Sequence, residues 1–200
     1  MDKIKYQIYV VLLLSVFNIK TFAQIKTNVE VVQSLLVNVT DDIRIQDFVN
    51  DNNKIELKFV AADNYEILRT KLIETLQKNN FSVVNESNNK LSFTLSDAKI
   101  NYKNIFRDGI LGEYLLEREA NLVGSYYFET GNEIGKVNNF SLSTLDTVKY
   151  SDVNELENIA YSFSTAKLPS EPFFSSILEP VIAVGTAAVA VFLFFNVRSK

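Results

Sequence analysis

Hydrophobic and polar positions change period several times along the chain. Between residues 54 and 60, Ile55, Leu57 and Phe59 alternate with Lys54, Glu56 and Lys58, the two-residue period of a half-buried strand. The period then lengthens. Ile67, Leu68, Leu72, Ile73 and Leu76 form one stripe, with Arg69, Lys71, Glu74 and Lys78 turned outward, so a helix is predicted here, capped by Asp63 or Asn64 and stopped at Asn79-Asn80. Residues 81–84 read as a second strand, 85–89 as a turn, and Leu91, Phe93 and Leu95 alternate as a third strand. The predicted order is therefore strand, helix, strand, strand. Upstream, Val29, Val32, Leu35, Leu36 and Val39 recur at helical intervals and are read as a helix, although so many β-branched residues also suit a strand. Residues 41–53 carry the Asp and Asn of a loop, with Ile43, Ile45, Phe48 and Val49 available to pack it down.

The second half is richer in strand periods. Residues 99–106 alternate, Arg107-Asp108-Gly109 signals a turn, and Gly112 is a second hinge. From 113 to 128 one long strand is predicted. Tyr114, Leu116, Ala120, Leu122, Gly124, Tyr126 and Phe128 share one parity, and Glu113, Glu117, Glu119, Asn121 and Ser125 share the other. Arg118 falls on the apolar parity. Thr130-Gly131-Asn132 turns the chain into an antiparallel partner over 134–142, and Ser151 or Asp152 with Glu155 opens a short helix whose Val153, Leu156, Ile159 and Ala160 face inward. The sum is an α+β domain, a largely antiparallel sheet of five or six strands with helices covering one face.

Both ends are more apolar than this domain. The run 181–197, lengthened by Ile177 and Leu178, has no ionisable side chain after Glu179, and Arg198 and Lys200 follow it. At about 1.5 Å per residue, 17 helical residues cover roughly 25 Å, slightly short of a hydrocarbon core of about 30 Å. At the other end, Lys3 and Lys5 precede an apolar stretch over 8–17 and the small-residue approach Thr21-Phe22-Ala23, the layout of a cleaved secretory signal. The predicted division is a signal peptide at 1–23, an extracytoplasmic domain at 24–168, a Pro-containing linker at 169–176, a transmembrane helix at 177–197 and a cytoplasmic end at 198–200. Such a chain would sit in a bacterial cytoplasmic membrane as a single-pass protein, with the lipid bilayer as partner of its C-terminal helix and the domain on the periplasmic side.

The strand at 54–60, the helix ending in Asn79-Asn80-Phe81-Ser82-Val83-Val84 and the hairpins after it resemble, in layout, the domain of curli-export-type lipoproteins, penicillin-binding-protein activator lipoproteins and TolB amino-terminal domains. The resemblance covers residues 54–140 and contains no diagnostic motif. The chain lacks the lipid-bearing cysteine of the lipoprotein members, so no functional residue is carried over. What the resemblance implies is an accessory or binding role in the envelope.

Composition narrows the chemistry. With no cysteine, histidine or tryptophan, the chain has no disulfide, no imidazole base or zinc ligand, and none of the usual nucleophilic triads. Setting aside Lys3, Lys5, Lys20, Arg198, Lys200 and Asp2 leaves 15 basic and 23 acidic residues, a net charge of −8, which argues against a nucleic-acid partner. The six glycines show no phosphate-cradle spacing, the Asp/Asn cluster at 41–53 lacks the order of a calcium loop, and neither a metal nor a cofactor is expected. Carboxylates are the remaining acid–base resource. Glu113, Glu117 and Glu119 share a strand face at intervals of roughly 7 to 14 Å, and with Asp97 and Asp108 they make a carboxylate-dependent hydrolase of an envelope polymer the alternative reading. No catalytic residue is assigned; the first reading is a non-enzymatic, membrane-anchored envelope protein whose domain binds or scaffolds another envelope protein or polymer. The candidate binding residues are Arg118, for an anion, a buried carboxylate or a snorkelled position at a strand edge, and Tyr126 and Tyr127, for an aromatic groove.

Overall fold

The structure, a computed structural model, describes residues 25–43, 53–109, 112–170 and 175–197. The expected signal at 1–23, the packing expected of Ile45, Phe48 and Val49, Pro172 of the linker and the end at 198–200 lie outside the described residues.

The first helix, α1 (Asn28–Asp42), is a helix and not a strand because its N-terminus is closed by a capping box. The Thr27 hydroxyl accepts from the Glu30 amide, and the Glu30 carboxylate accepts from the Thr27 amide at 2.7 Å. Those bonds, led by the backbone one, hold the Glu30 carboxyl below the usual range. Strand β1 (Lys54–Val60) and helix α2 (Glu66–Lys78) follow, with Leu68, Leu72 and Leu76 buried on the predicted stripe. The cap differs from the expectation. Asp63 and Asn64 belong to a 3-10 turn, Asp63–Tyr65, and no side chain caps Tyr65. The predicted stop is found: Asn80 takes φ 66°, the Phe81 amide reaches back to Leu76 O and the Asn80 amide to Gln77 O. That bond pair ends a helix on a left-handed residue, and buried Phe81 closes it against Leu76.

The remaining elements are β2 (Ser82–Val84), β3 (Asn89–Arg107), β4 (Tyr114–Thr130), β5 (Glu133–Ile134), β6 (Asn138–Lys149), a single-turn helix α3 (Val153–Leu156) and helix α4 (Ser175–Val197). The sheet runs β2-β1-β3-β4, and β5 and β6 both pair with β4. It is largely antiparallel, as expected, with a parallel part around β1. β1 lies parallel to β2 and to β3, while β3, β4, β5 and β6 pair antiparallel. The cause is the crossover: α2 returns the chain to the start of β1, and residues 85–88 then carry it to β1's other side, where the Ser87 hydroxyl donates to the Lys54 carbonyl at 3.1 Å.

Two strands predicted over 91–95 and 99–106 are one 19-residue strand. A register shift between Leu95 and Asp97 inserts Ser96 and reverses the parity, so Leu91, Phe93 and Leu95 before it share the core face with Ala98, Ile100 and Tyr102 after it. The Tyr65 hydroxyl braces this bulge, accepting from the Ala98 amide at 3.2 Å. β6 continues to Lys149, beyond the expected end at 142, and α3 stops at Leu156, leaving Ile159 93% exposed and Ala160 exposed instead of inward. Local side-chain bonds compete with the helix there: Ser164 Oγ accepts from the Asn158 amide, and Asn158 Oδ1 accepts from the Ala160 amide.

The core fills the face of the sheet that carries Ile55, Phe93, Leu95, Ile100, Leu116, Ala120 and Leu122, and the stripes of α1 and α2 belong to the same cluster. Gly124 lets the Phe140 ring approach from β6; a Cβ there would come within 2.5 Å of that ring and 2.3 Å of the Thr94 carbonyl. A helix stands where a membrane span was expected, but among the described residues no helix is long and apolar enough to cross a membrane. Residues 180–196 of α4 are exposed.

Candidate functional site

Arg118 is 1% exposed, on the core face of β4, because its even position shares the face of Leu116 and Ala120. It does not snorkel at an edge. β6 places Asp146 directly opposite it, and the two meet as a fork. Nε donates to Asp146 Oδ1 at 2.9 Å and Nη2 to Oδ2 at 2.6 Å. The remaining terminal nitrogen donates to the Lys26 carbonyl at 2.8 Å and to Asn28 Oδ1 at 2.9 Å. Asn28, fully buried at the start of α1, passes its own amide protons to Tyr102 Oη at 2.8 Å and to the Ser164 carbonyl at 2.7 Å. Ser164 is buried as well, with its hydroxyl held by Asn158 and Tyr161.

One polar chain therefore links β4, β6, the start of α1, β3 and the 3-10 turn Ser162–Ser164. Among the described residues no buried side-chain polar atom lacks a partner. A buried guanidinium with all three nitrogens bonded to protein groups organises structure rather than presenting its fork to a ligand. Asp146 and Asn28 were not singled out in the sequence. The available signal was Asp146 itself, the single charge between Asn138 and Val148.

Burial pushes the Tyr102 hydroxyl up to about 12, with the Asn28 hydrogen bond and the Arg118 charge acting in the opposite direction. A hydroxyl ionising near 10 in the unfolded chain and near 12 in the folded one contributes stability that is complete below pH 10 and lost as pH rises through 12. Tyr102→Phe removes that loss. The stability gap between wild type and Tyr102→Phe, read as urea midpoints, is expected to shrink between pH 9 and pH 11, whereas a constant gap would mean that Tyr102 ionises as in water.

Tyr126 and Tyr127 occupy opposite faces of β4, so they do not line one groove. Tyr126 stacks on Phe93, with ring centroids 6.5 Å apart, and meets Phe128 edge-on at 6.3 Å, while Phe93 also contacts Phe59 and Phe140. Tyr127 stands half-buried on the far face, opposite Ser92. A second aromatic group, Tyr65, Phe163 and Tyr161, packs separately. The aromatics expected in one groove are divided between two core clusters and one solvated face.

The carboxylates are also dispersed. Glu119 is bound by Lys103 at 2.7 Å and by Asn121 and Asn101, and these contacts, led by Lys103, hold it below the usual range. Glu117 accepts from Asn104, Glu113 pairs with Lys149 at 2.7 Å, Asp97 pairs with Lys99, and Asp108 lies in the turn before β4. Glu119, held ionised, is the wrong form for a general acid at neutral pH. Among the described residues no group of His, Cys, Asp and Glu is placed to hold a metal ion.

No family model matches the sequence. No curated protein matches it either. Among solved structures, the rare lipoprotein B from Shewanella oneidensis overlaps 72% of this chain and 93% of its own, at 12% identity and a TM-score of 0.31. A minor lipoprotein from Acinetobacter baumannii overlaps 50% of this chain and 68% of its own, at 15% identity and a TM-score of 0.33. Likenesses this distant carry no argument about fold or function, and the resemblance to the curli-export, activator and TolB domains gains nothing from them.

Proposed function

We propose that this chain is a membrane-held envelope protein whose domain binds or scaffolds another envelope component and does no chemistry of its own. The observation that carries the reading is α4. Its residues 180–196 are exposed and uncharged, and Phe192, Phe194 and Phe195 among them have no place in water. Among the described residues α4 falls short of a span, so the crossing is proposed from the sequence: the uncharged run 181–197, lengthened by Ile177 and Leu178, covers roughly 25 to 31 Å as a helix, and a helix satisfies its own backbone in lipid. Arg198 and Lys200 favour a cytoplasmic end and so a single pass in the cytoplasmic membrane, with the domain on the outer side. In this reading Arg118 and Tyr126 support β4 and β6 from the core side, and Tyr127 offers direct contact on the opposite face. The hydrolase reading is disfavoured because its carboxylates are engaged by separate cations and amides.

Fractionation tests the attachment. The full chain is expected to stay with membranes in alkaline carbonate, and protease added to intact spheroplasts is expected to digest the domain and leave a C-terminal fragment. Release by carbonate would remove the membrane reading, and a domain protected until lysis would reverse its side.

A further inference from the structure

The two edges of the sheet are unlike. At one end lies β2, three residues long and flanked by the polar loop 85–88, an edge too short to template another strand. At the other lies β6, twelve residues in unbroken register with β4 from Asn138 to Lys149, with none of the shifts that interrupt β3. Among the described residues β6 pairs with β4 alone, so alternate residues along it point amide and carbonyl groups outward. The usual guards are missing. Residues 138–145 contain no proline, no lysine and no charge of any kind. The first charge, Asp146, is neutralised by Arg118, which also fixes the strand's position.

We propose that this edge pairs with the β6 edge of a second copy, antiparallel and centred on Leu142, joining the two sheets into one. The strand is its own complement. Sharing one face across a two-fold axis requires partners of equal parity, and the centre at Leu142 sets Ser141 opposite Ser143, Phe140 opposite Thr144, Asn139 opposite Leu145 and Leu142 opposite itself. No like charges meet, because the uncharged run occupies nearly the whole overlap. The same register brings two exposed apolar residues beside the start of β6, Ile134 (72%) and Val137 (51%), next to the end of the copy's β6, and it covers Leu145, which is 59% exposed. The inference is independent of membrane attachment, since it rests on the sheet edge and not on α4.

The test uses the full chain in detergent. Because the protein has no cysteine, Leu142→Cys gives an unambiguous probe: mild oxidation is expected to yield a covalent dimer, and Lys99→Cys, on another strand, none. Ser141 and Ser143 are exposed on the solvated face, so charges there leave the fold intact. Ser141→Lys with Ser143→Lys sets lysines opposite lysines and should weaken the dimer about tenfold. Ser141→Lys with Ser143→Glu sets opposite charges together and should restore it. A monomeric wild type, a dimer indifferent to both pairs, or cross-linking of the Leu142→Cys thiol to a different protein would each overturn the proposal. Loss of association only when α4 is removed, with the charge pairs inert, would place any self-association in that helix and overturn it equally.

Discussion

Leu72→Asp is expected to abolish the cooperative unfolding transition of the domain. Leu72 is fully buried at the middle of α2, inside the cluster that joins this helix to α1 and the sheet. A carboxylate there would have no partner, and burying an unpaired charge costs several kcal/mol against a typical total stability of about 5 to 15 kcal/mol. Neighbouring Lys71 is the control. Its ammonium bonds Glu74 at 2.9 Å on the outer side of the helix, so Lys71→Asp loses one exposed pair and adds one like-charge contact, a small effect beside that of Leu72→Asp. Urea denaturation followed by circular dichroism separates the two. Equal tolerance of both substitutions would show that the stripe does not face the core.

The second large effect is expected at Asp146. Asp146→Ala leaves the Arg118 guanidinium, whose side chain is 0% exposed, with only the Lys26 carbonyl and Asn28 Oδ1. Breaking a buried pair from one side typically costs about 3 to 5 kcal/mol; Asp146 is 43% exposed, so water can partly replace it and a loss of about 2 to 3 kcal/mol is expected. Lys103→Ala, which breaks an exposed pair with Glu119, should cost far less than Asp146→Ala. If the two variants melt alike, Arg118 is solvated and the polar chain from β6 to Ser164 contributes nothing to stability. Arg118→Lys should be no rescue, because an ammonium cannot reproduce the planar fork to both oxygens of Asp146.

Elements whose burial is one-sided were legible in advance. β1, α2 with its Asn79-Asn80 stop, the parity of β4 and the helical period of α1 all follow from apolar residues recurring at the spacing of one face. The continuity of β3 was hidden because the insertion at Ser96 reverses the parity, which in sequence looks like two strands and a gap. The length of β6 was hidden for a different reason: an edge strand rich in Ser, Thr and Asn on both faces has no apolar period to detect. The short α3 ended where the Asn158 and Ser164 side chains, a few residues on, took up backbone groups, a competition that the apolar period does not show.

The candidate site divides along the same line. That Arg118 occupies a core parity is a local fact, carried by Leu116 and Ala120 on either side of it, and the sequence alone determined it. Whether the guanidinium reaches water, binds a ligand or finds an internal acid depends on what β6 and α1 bring to it. Asp146 is 28 residues away and Asn28 is 90, and their meeting is set by sheet register and by the seating of α1. The mixed direction of the sheet was likewise decided by packing. Side-chain alternation is the same in parallel and antiparallel strands, so the period announces a strand without its direction; the crossover through α2 and residues 85–88 sets it. Sequence determines which face of each element turns inward, because that is a matter of local spacing, and the tertiary structure decides which inward faces meet, because that depends on contacts between distant residues.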